Sequence, residues 1–241
     1  MTATPTPTFE PLGDDAVLIR FGDGIDAAVN ARVHAAAARI ASIENVPGIV
    51  DLVPGYASLG VIYDWAFWAG DKSLFAYERI VDFLRGVIDE PALALDRKPR
   101  TIEIPVCYGG GDGPDLADVA QRAGLSESDV IARHTGGDYT VAMLGFAPGF
   151  AYLLGLDPAL HTPRRATPRT RVPAGSVAIG GAQTAVYPHA LPGGWNLIGR
   201  TPFALFDLAR MPANLVAPGD RVRFRAIGRE EFHALYTKDN A

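Results

Sequence analysis

The fold is decided by six short apolar runs in the second half of the chain, which are YTVAMLGF (139–146), SVAIGG (176–181), QTAVYP (183–188), WNLIGRT (195–201), FALFD (203–207) and RVRFRAI (221–227). Glycine and proline separate many of these runs at intervals of about eight to twelve residues, which is the spacing of strands and turns in all-β domains. The pattern therefore predicts a barrel or sandwich rather than a parallel α/β sheet.

The first part of the chain instead alternates strand and helix patterns. Ala16–Phe21, Ile49–Val53 and Leu59–Tyr63 predict short strands. Apolar residues three or four positions apart predict two helices, one carrying Ile25, Val29, Val33, Ala36 and Ile40, the other Phe75, Ile80, Phe83, Leu84 and Val87. We expect a small α+β domain over residues 1–98, with 1–8 as a disordered tail and the proline-bracketed segment 89–100 as the linker to a second domain, 99–241.

The second domain opens with a strand and two helices. Thr101–Cys107 alternates Ile102, Ile104 and Val106, as a half-buried strand does. Helices are predicted at 115–123 and 127–134, the latter started by a capping box of Ser126 and Asp129. In the last strand, Val222, Phe224 and Ala226 share one face.

Composition excludes several classes of protein. The 241 residues include 27 acidic and 22 basic ones, a formal charge of −5, which is unfavourable for general nucleic-acid binding. The single cysteine, Cys107, excludes an internal disulfide framework and a thiolate-cluster zinc site. No apolar run is long enough for a membrane span, and no secretory signal opens the sequence, so we expect a cytoplasmic protein.

One segment departs sharply from the average charge. Between Pro158 and Phe206 there is no Asp or Glu, but there are five arginines, Arg164, Arg165, Arg169, Arg171 and Arg200. Guanidinium groups suit carboxylates and phosphates, and no acid lies nearby in sequence to neutralise them. The segment therefore predicts an anion-recognition surface. The alternatives are that distant acids pair with these arginines, or that they form a solvated face.

The same segment places polar side chains beside the glycine pairs at 180–181 and 193–194, namely Gln183, Tyr187, His189, Trp195, Asn196 and Arg200. Glycine allows a backbone to approach a ligand closely or to turn tightly. Other interpretations stay open: Trp195 as half-buried core and Tyr187 as a cap at a strand edge. The prolines around His189 favour an exposed imidazole.

Other chemistry finds little support. No phosphate-binding G-x-x-x-x-G-K-[ST] loop is present, and the glycine-rich run 109–113 predicts a flexible loop. There is no G-x-S-x-G elbow of a serine hydrolase, and the five histidines lie far apart, so no metal-ligand set is identified. GFAPGF (145–150) predicts a rigid bend flanked by phenylalanines.

Four segments together resemble one family: LGDDAVLIRFG (12–22), GFAPGFAYLLGL (145–156), TPRTRVPAGSVAIGGAQTAVYPHALPGGWNLIGRTP (167–202) and APGDRVRF (217–224). The family is the B subunit of the prokaryotic ATP-dependent 5-oxoprolinase, also named allophanate hydrolase subunit 1 or the kinase inhibitor KipI. The resemblance implies an α+β N-terminal domain followed by a mainly-β cyclophilin-like barrel. It also implies two partners, the A and C subunits of that enzyme, of which the latter is related to the other half of the carboxyltransferase-like region of urea carboxylases.

The activity implied by the resemblance is the ATP-driven opening of 5-oxoproline, a lactam, to L-glutamate, with ATP bound together with a partner chain. Arg169 or Arg171 would hold a carboxylate or phosphate, with Arg200 and Trp195 in the same site. Gln183 and Asn196 would bind the lactam amide. The catalytic residues would be His189, Gln183 and Tyr187, with His189 as the proton carrier. Two alternatives remain: a regulator that binds a sensor histidine kinase, and a component of an allophanate or urea hydrolase.

Overall fold

The computed structural model of the chain describes residues 6–43, 46, 48–70, 75–89 and 99–239. The chain divides into two compact units, Met1–Lys98 and Pro99–Ala241. The expected fold class, an α+β unit followed by a mainly-β barrel, is confirmed.

A four-stranded antiparallel sheet forms the centre of the first unit, with the strand order β1-β2-β4-β3. Its elements are β1 (Thr8–Pro11), β2 (Ala16–Arg20), α1 (Ala27–Ser42), β3 (Ile49–Pro54), β4 (Ser58–Tyr63), α2 (Trp65–Ala69) and α3 (Ala76–Asp89). Val17 and Leu59 of the sheet pack with Val33 of α1 and Leu84 of α3, and all four side chains are fully buried. The helical faces predicted from apolar spacing are therefore the faces that cover the sheet.

The second unit is built on a closed seven-stranded barrel. Its elements are β5 (Thr101–Tyr108), α4 (Leu116–Ala123), α5 (Glu127–Gly136), β6 (Tyr139–Leu144), β7 (Ala151–Leu154), a 3-10 helix (Pro158–Leu160), β8 (Arg169–Val172), β9 (Ser176–Gly180), β10 (Gln183–Val186), β11 (Leu191–Gly193), β12 (Asn196–Arg200), β13 (Arg221–Ala226) and α6 (Arg229–Asp239). The barrel order is β10-β7-β6-β13-β5-β12-β9, and β8 and β11 form a separate two-stranded sheet. Only the β13–β5 pair of the described barrel strands is parallel.

Local signals account for several boundaries. Asp26 accepts a hydrogen bond from the backbone N–H of Val29 at 2.8 Å, which starts α1 and leaves Ile25 outside the helix and half exposed. The capping box of α5 is confirmed, because Ser126 Oγ accepts from the Asp129 N–H at 3.1 Å and Asp129 accepts from the Ser126 N–H. Phe75 also lies outside its predicted helix and is exposed.

Other expectations differ from the structure. FALFD (203–207) forms no strand; it makes one bridge, between Phe206 and Asn214. The glycine-rich run 109–113 forms a hydrogen-bonded turn. The turn packs closely against β12, since a Cβ on Gly113 would lie 2.1 Å from the Ile198 carbonyl oxygen. Most of the predicted tail and linker lies outside the described residues, although Thr8 belongs to β1 and Asp89 to α3.

A buried histidine lies inside the barrel unit. His134 of α5 is fully buried; its Nδ1 lies 2.7 Å from the Tyr108 hydroxyl and its Nε2 lies 3.0 Å from Thr184 Oγ1. Thr184 Oγ1 donates to the Ala178 carbonyl oxygen, so Nε2 carries the proton and Nδ1 accepts from Tyr108. Burial disfavours the imidazolium and lowers the pKa of His134 to about 3.

This burial makes stability depend on pH. The unfolded chain protonates His134 near pH 6.5, whereas the folded chain protonates it near pH 3, so stability falls as pH decreases between these values. We expect His134→Gln to flatten the pH dependence of the unfolding free energy between pH values of about 4.5 and 6.5, by up to about 1.4 kcal/mol per pH unit. Denaturant unfolding at several pH values measures this. The exposed His189, changed to Gln, is the control, and a His134→Gln slope equal to that of the control contradicts the account.

Candidate ligand-binding site

A buried carboxylate organises one side of the barrel unit. Asp115 precedes α4 and is 3% exposed. Its oxygens accept from Arg165 Nη1 at 2.8 Å, from Arg169 Nη1 and Nη2 at 2.8 Å each, and from the Leu197 N–H at 2.7 Å. The Asp115 N–H in turn donates to the Leu197 carbonyl oxygen. This set of bonds fastens the start of α4, the segment that enters β8, and β12 to one another; we call it the Asp115 bridge.

The ionisation of Asp115 follows from these contacts. Burial alone would raise the pKa of the carboxyl, but the hydrogen bonds from Arg169 and the Leu197 N–H, with the charges of Arg169 and Arg165, lower it below its ordinary value. The hydrogen bond to Asp115 in turn raises the pKa of Arg169. The bridge is therefore ionic at neutral pH.

An aromatic cavity of about 320 Å³ includes Arg165 of the bridge in its wall. Its walls carry Phe146, Phe150, Tyr152, Tyr187 and Trp195, together with Arg164 and Arg165. Phe150 lies at the centre of the ring cluster, with edge-to-face centroid distances of 4.9 Å to Tyr152, 5.2 Å to Tyr187 and 5.9 Å to Trp195. These rings offer flat apolar surfaces to a small ligand.

Two guanidinium groups add positive charge to the aromatic cavity. The Arg164 guanidinium lies over the Trp195 ring, 5.7 Å from its centroid, and among the described residues no acid pairs with it. Arg165 uses Nη1 for Asp115, but its Nε–H is buried and has no hydrogen-bond partner in the described part of the chain. A buried N–H without an acceptor is costly, so this nitrogen is an unfavourable feature of the folded chain, while the Arg165 guanidinium as a whole adds charge to the cavity wall.

Phe146 at the cavity rim is held in an unusual conformation. Its φ is +69°, in the left-handed region that bulky side chains rarely adopt, and its side chain is 63% exposed. The bend also needs Gly149, since a Cβ there would lie 2.6 Å from Phe206 Cβ. An exposed ring kept in a strained conformation beside a cavity is typical of ligand-contacting positions.

A smaller cavity, of about 160 Å³, includes Arg169 of the bridge and is also lined by Arg171 and Arg200, with Ser176 and Asp112. We call it the arginine pocket. It has no aromatic lining. The three arginines predicted to bind anions are thus brought together.

The remaining predicted site residues are distributed differently. Tyr187 and Trp195 line the aromatic cavity, and Trp195 is buried rather than half-buried as that alternative supposed. His189 is exposed, as expected, and its ring contacts Phe206, with 5.6 Å between centroids. Gln183 and Asn196 are buried and line neither cavity; Asn196 Nδ2 donates to the Pro163 and Ile179 carbonyl oxygens. Their assignment to a lactam amide stays a prediction that this placement does not favour.

The alternative that distant acids pair with the arginines of the acid-free segment holds for Arg165 and Arg169, which share Asp115. The other three arginines of the segment have no acidic partner among the described residues; Arg200 donates through Nε to the Ala174 carbonyl oxygen. Asp115 lies 50 residues before Arg165, and nothing in the local sequence links the two. Phe146 and Phe150, by contrast, belong to the GFAPGF motif that the sequence already singles out.

Neither a metal site nor a membrane span is found within the described ranges. No group of three or more His, Cys, Asp or Glu residues there could hold a metal ion. None of the helices described is long and apolar enough to cross a bilayer.

The chain matches a known family and is similar to several known proteins. The family model of the carboxyltransferase domain, subdomain C and D, matches residues 7–216. The 5-oxoprolinase B subunit of Bacillus subtilis (strain 168) is 44% identical over 96% of this chain and 97% of its own length. The 5-oxoprolinase B subunit of Escherichia coli O157:H7 is 46% identical over 88% of this chain and 93% of its own length. The crystal structure of TTHA0988 superposes with a TM-score of 0.74 at 39% identity, over 89% of this chain and 40% of that one.

The Asp115 bridge predicts a large stability loss when its charge is removed. Asp115→Asn removes the buried carboxylate charge that pairs with Arg165 and Arg169. We therefore expect the unfolding free energy to fall by about 3–5 kcal/mol. Asp138→Asn is the control: it breaks the ion pair with Arg221 at 2.6 Å between half-exposed groups, and about 1 kcal/mol or less is expected. Denaturant unfolding compares the two, and equal losses would refute the role given to Asp115.

Proposed function

The chain belongs to the family of carboxyltransferase domains, subdomains C and D, and from this premise we propose that it is the B subunit of an ATP-dependent 5-oxoprolinase. In this proposal it acts with the A and C subunits to open 5-oxoproline to L-glutamate. The observation that carries the proposal is the similarity, along nearly the whole chain, to relatives named as the B subunit of 5-oxoprolinase. A cytoplasmic location and the absence of nucleic-acid partners stay predictions.

The aromatic cavity supports the substrate part of the proposal. 5-Oxoproline combines a small ring with a carboxylate and one amide group. The ring would lie against Phe150 and Trp195, and its carboxylate would accept from the Arg164 guanidinium, with the positive charge of Arg165 in the same wall. The cavity is large enough for a ligand of this size, at about 320 Å³.

Tyr187 is suited to hold the lactam oxygen. Its side chain is 2% exposed and lines the aromatic cavity, and burial raises the pKa of its hydroxyl. The hydroxyl therefore keeps its proton at neutral pH and can donate it in a hydrogen bond. In the proposal it donates to the amide oxygen, which draws electron density from the lactam bond.

The lactam amide is unreactive, and ATP would serve to activate it. Transfer of the γ-phosphoryl group to the amide oxygen releases ADP. One water then adds to the ring carbon, and the ring C–N bond breaks to leave an acyl phosphate. A second water hydrolyses the acyl phosphate to phosphate and the side-chain carboxylate of glutamate. The ring nitrogen takes up a proton and becomes the amine of glutamate. His189, whose imidazole is exposed to solvent, is the proposed proton carrier for this nitrogen. ATP itself is proposed to bind together with a partner chain.

Co-expression with the A and C subunits tests the function. We expect the three chains to co-purify and to release glutamate from 5-oxoproline only when ATP is present. An assembled complex that releases no glutamate refutes the proposal. If it instead binds a histidine kinase, or hydrolyses allophanate, the corresponding alternative from the sequence replaces it.

His189 has a matched control in His161, which is also an exposed histidine of the barrel unit. In the assembled complex, His189→Ala should lower kcat by about a hundredfold or more if it carries the proton, whereas His161→Ala should leave kcat unchanged. Thermal unfolding of both variants should match that of the parent chain. Equal kcat values for the two variants would remove His189 from the mechanism.

A further inference from the structure

We propose that the arginine pocket is a second anion site, which binds a phosphate group. The inference goes beyond the lactam cavity of the proposed function and stands without it, because it rests on the charge and shape of the pocket alone. The bound group is a tetrahedral phosphate, either as the free ion or as the terminal phosphoryl group of a nucleotide.

The donors of the pocket come from two strands that belong to different sheets. Arg169 and Arg171 lie two positions apart on β8 and both line the pocket, so their side chains share one face of that strand. Arg200 ends β12 and reaches the same pocket. The buried hydroxyl of Ser176, 2% exposed, adds a further polar group to the wall. Guanidinium forks with a hydroxyl are a donor set typical of phosphate recognition.

The positive charge of the pocket is only partly neutralised, because Arg169 pairs with Asp115 whereas Arg171 and Arg200 have no acidic partner among the described residues. Asp115 is engaged by Arg165, Arg169 and the Leu197 N–H. Asp112, the one acid lining the pocket among the described residues, has a carboxylate oxygen 3.7 Å from Arg229 Nη2. Arg171 is exposed and pairs with no acid in the described ranges.

Arg200 retains donors that can reach a ligand. Its Nε bonds the Ala174 carbonyl oxygen at 2.9 Å, which fixes the side chain and leaves both terminal nitrogens for a ligand. One anchored and one unpaired guanidinium therefore face the same small space. Holding two like charges together is unfavourable, and an anion between them relieves the repulsion.

Shape selects a phosphate over larger anions. The pocket volume of about 160 Å³ is half that of the aromatic cavity, and without aromatic lining it offers nothing on which a ring or base could stack. A carboxylate would use one planar fork, whereas a tetrahedral phosphate presents oxygens to several donors at once and carries more charge. The pocket therefore favours phosphate, and any nucleoside attached to it would extend out of the pocket.

Calorimetric titration of the full chain with inorganic phosphate, ADP and ATP, in a low-chloride buffer, tests the site. We expect saturable phosphate binding at one site, and Arg171→Gln or Arg200→Gln should weaken it by about tenfold each, the loss of one charge-assisted contact. The matched control is Arg223→Gln, an exposed arginine of β13 that lines neither the arginine pocket nor the aromatic cavity, and its Kd should lie within about twofold of the parent value.

The titrations also distinguish the source of the phosphate. Binding of ADP and ATP no tighter than phosphate supports the free ion. Tighter nucleotide binding that both pocket variants weaken supports a nucleotide phosphoryl group. Failure of phosphate to saturate at millimolar concentration overturns the proposal, as does equal weakening by the control. Arg171→Gln keeps the test valid if Arg200→Gln unfolds, since Arg171 is exposed. Glutamate release by the assembled complex is measured separately, so the two proposals fail independently.

Discussion

One buried carboxylate, that of Asp115, is the constraint on which this side of the barrel unit depends. A carboxylate removed from water needs donors for its lone pairs, and Asp115 obtains them from Arg165, Arg169 and the Leu197 N–H. The Asp115 N–H also donates to the Leu197 carbonyl oxygen. Both the backbone and the side chain of Asp115 therefore fix the start of α4 to Leu197 of β12. Arg165 and Arg169 hold the segment that leads into β8 in place, because both bond Asp115 and neither has another acid among the described residues.

This bridge also contributes a residue to each of two binding environments. Arg165 faces the aromatic cavity and Arg169 the arginine pocket, yet both bond the same carboxylate. The first cavity combines aromatic rings with the guanidinium groups of Arg164 and Arg165, which suits a small ring bearing a carboxylate. The second combines guanidiniums without aromatic surface, which suits a compact anion. The positive charge of the acid-free segment is therefore divided between two cavities that differ in chemistry, instead of forming one continuous surface.

Much of the fold follows from periodicity in the sequence. Strands such as β9 and β13 and helices such as α1 are predictable because their buried faces repeat at the period of the element. β1 is not, since it lies in a threonine- and proline-rich start and exists through its pairing with β2, as Phe9 opposite Ile19 illustrates. The segment that carries the site can be predicted from the sequence, but the arrangement of its side chains cannot. The sequence marks the arginines and the GFAPGF motif, whereas the link from Asp115 to Arg165 is made only by the folded chain.

Arginine side-chain NMR tests whether 5-oxoproline and phosphate bind in two different cavities, because it follows the Nε–H of each guanidinium separately in one sample. The account predicts that 5-oxoproline shifts the signals of Arg164 and Arg165 and leaves those of Arg171 and Arg200 in place. Inorganic phosphate should have the opposite effect. If both ligands shift the same set of arginines, the aromatic cavity and the arginine pocket are not two distinct sites, and the assignment of the two ligands is wrong.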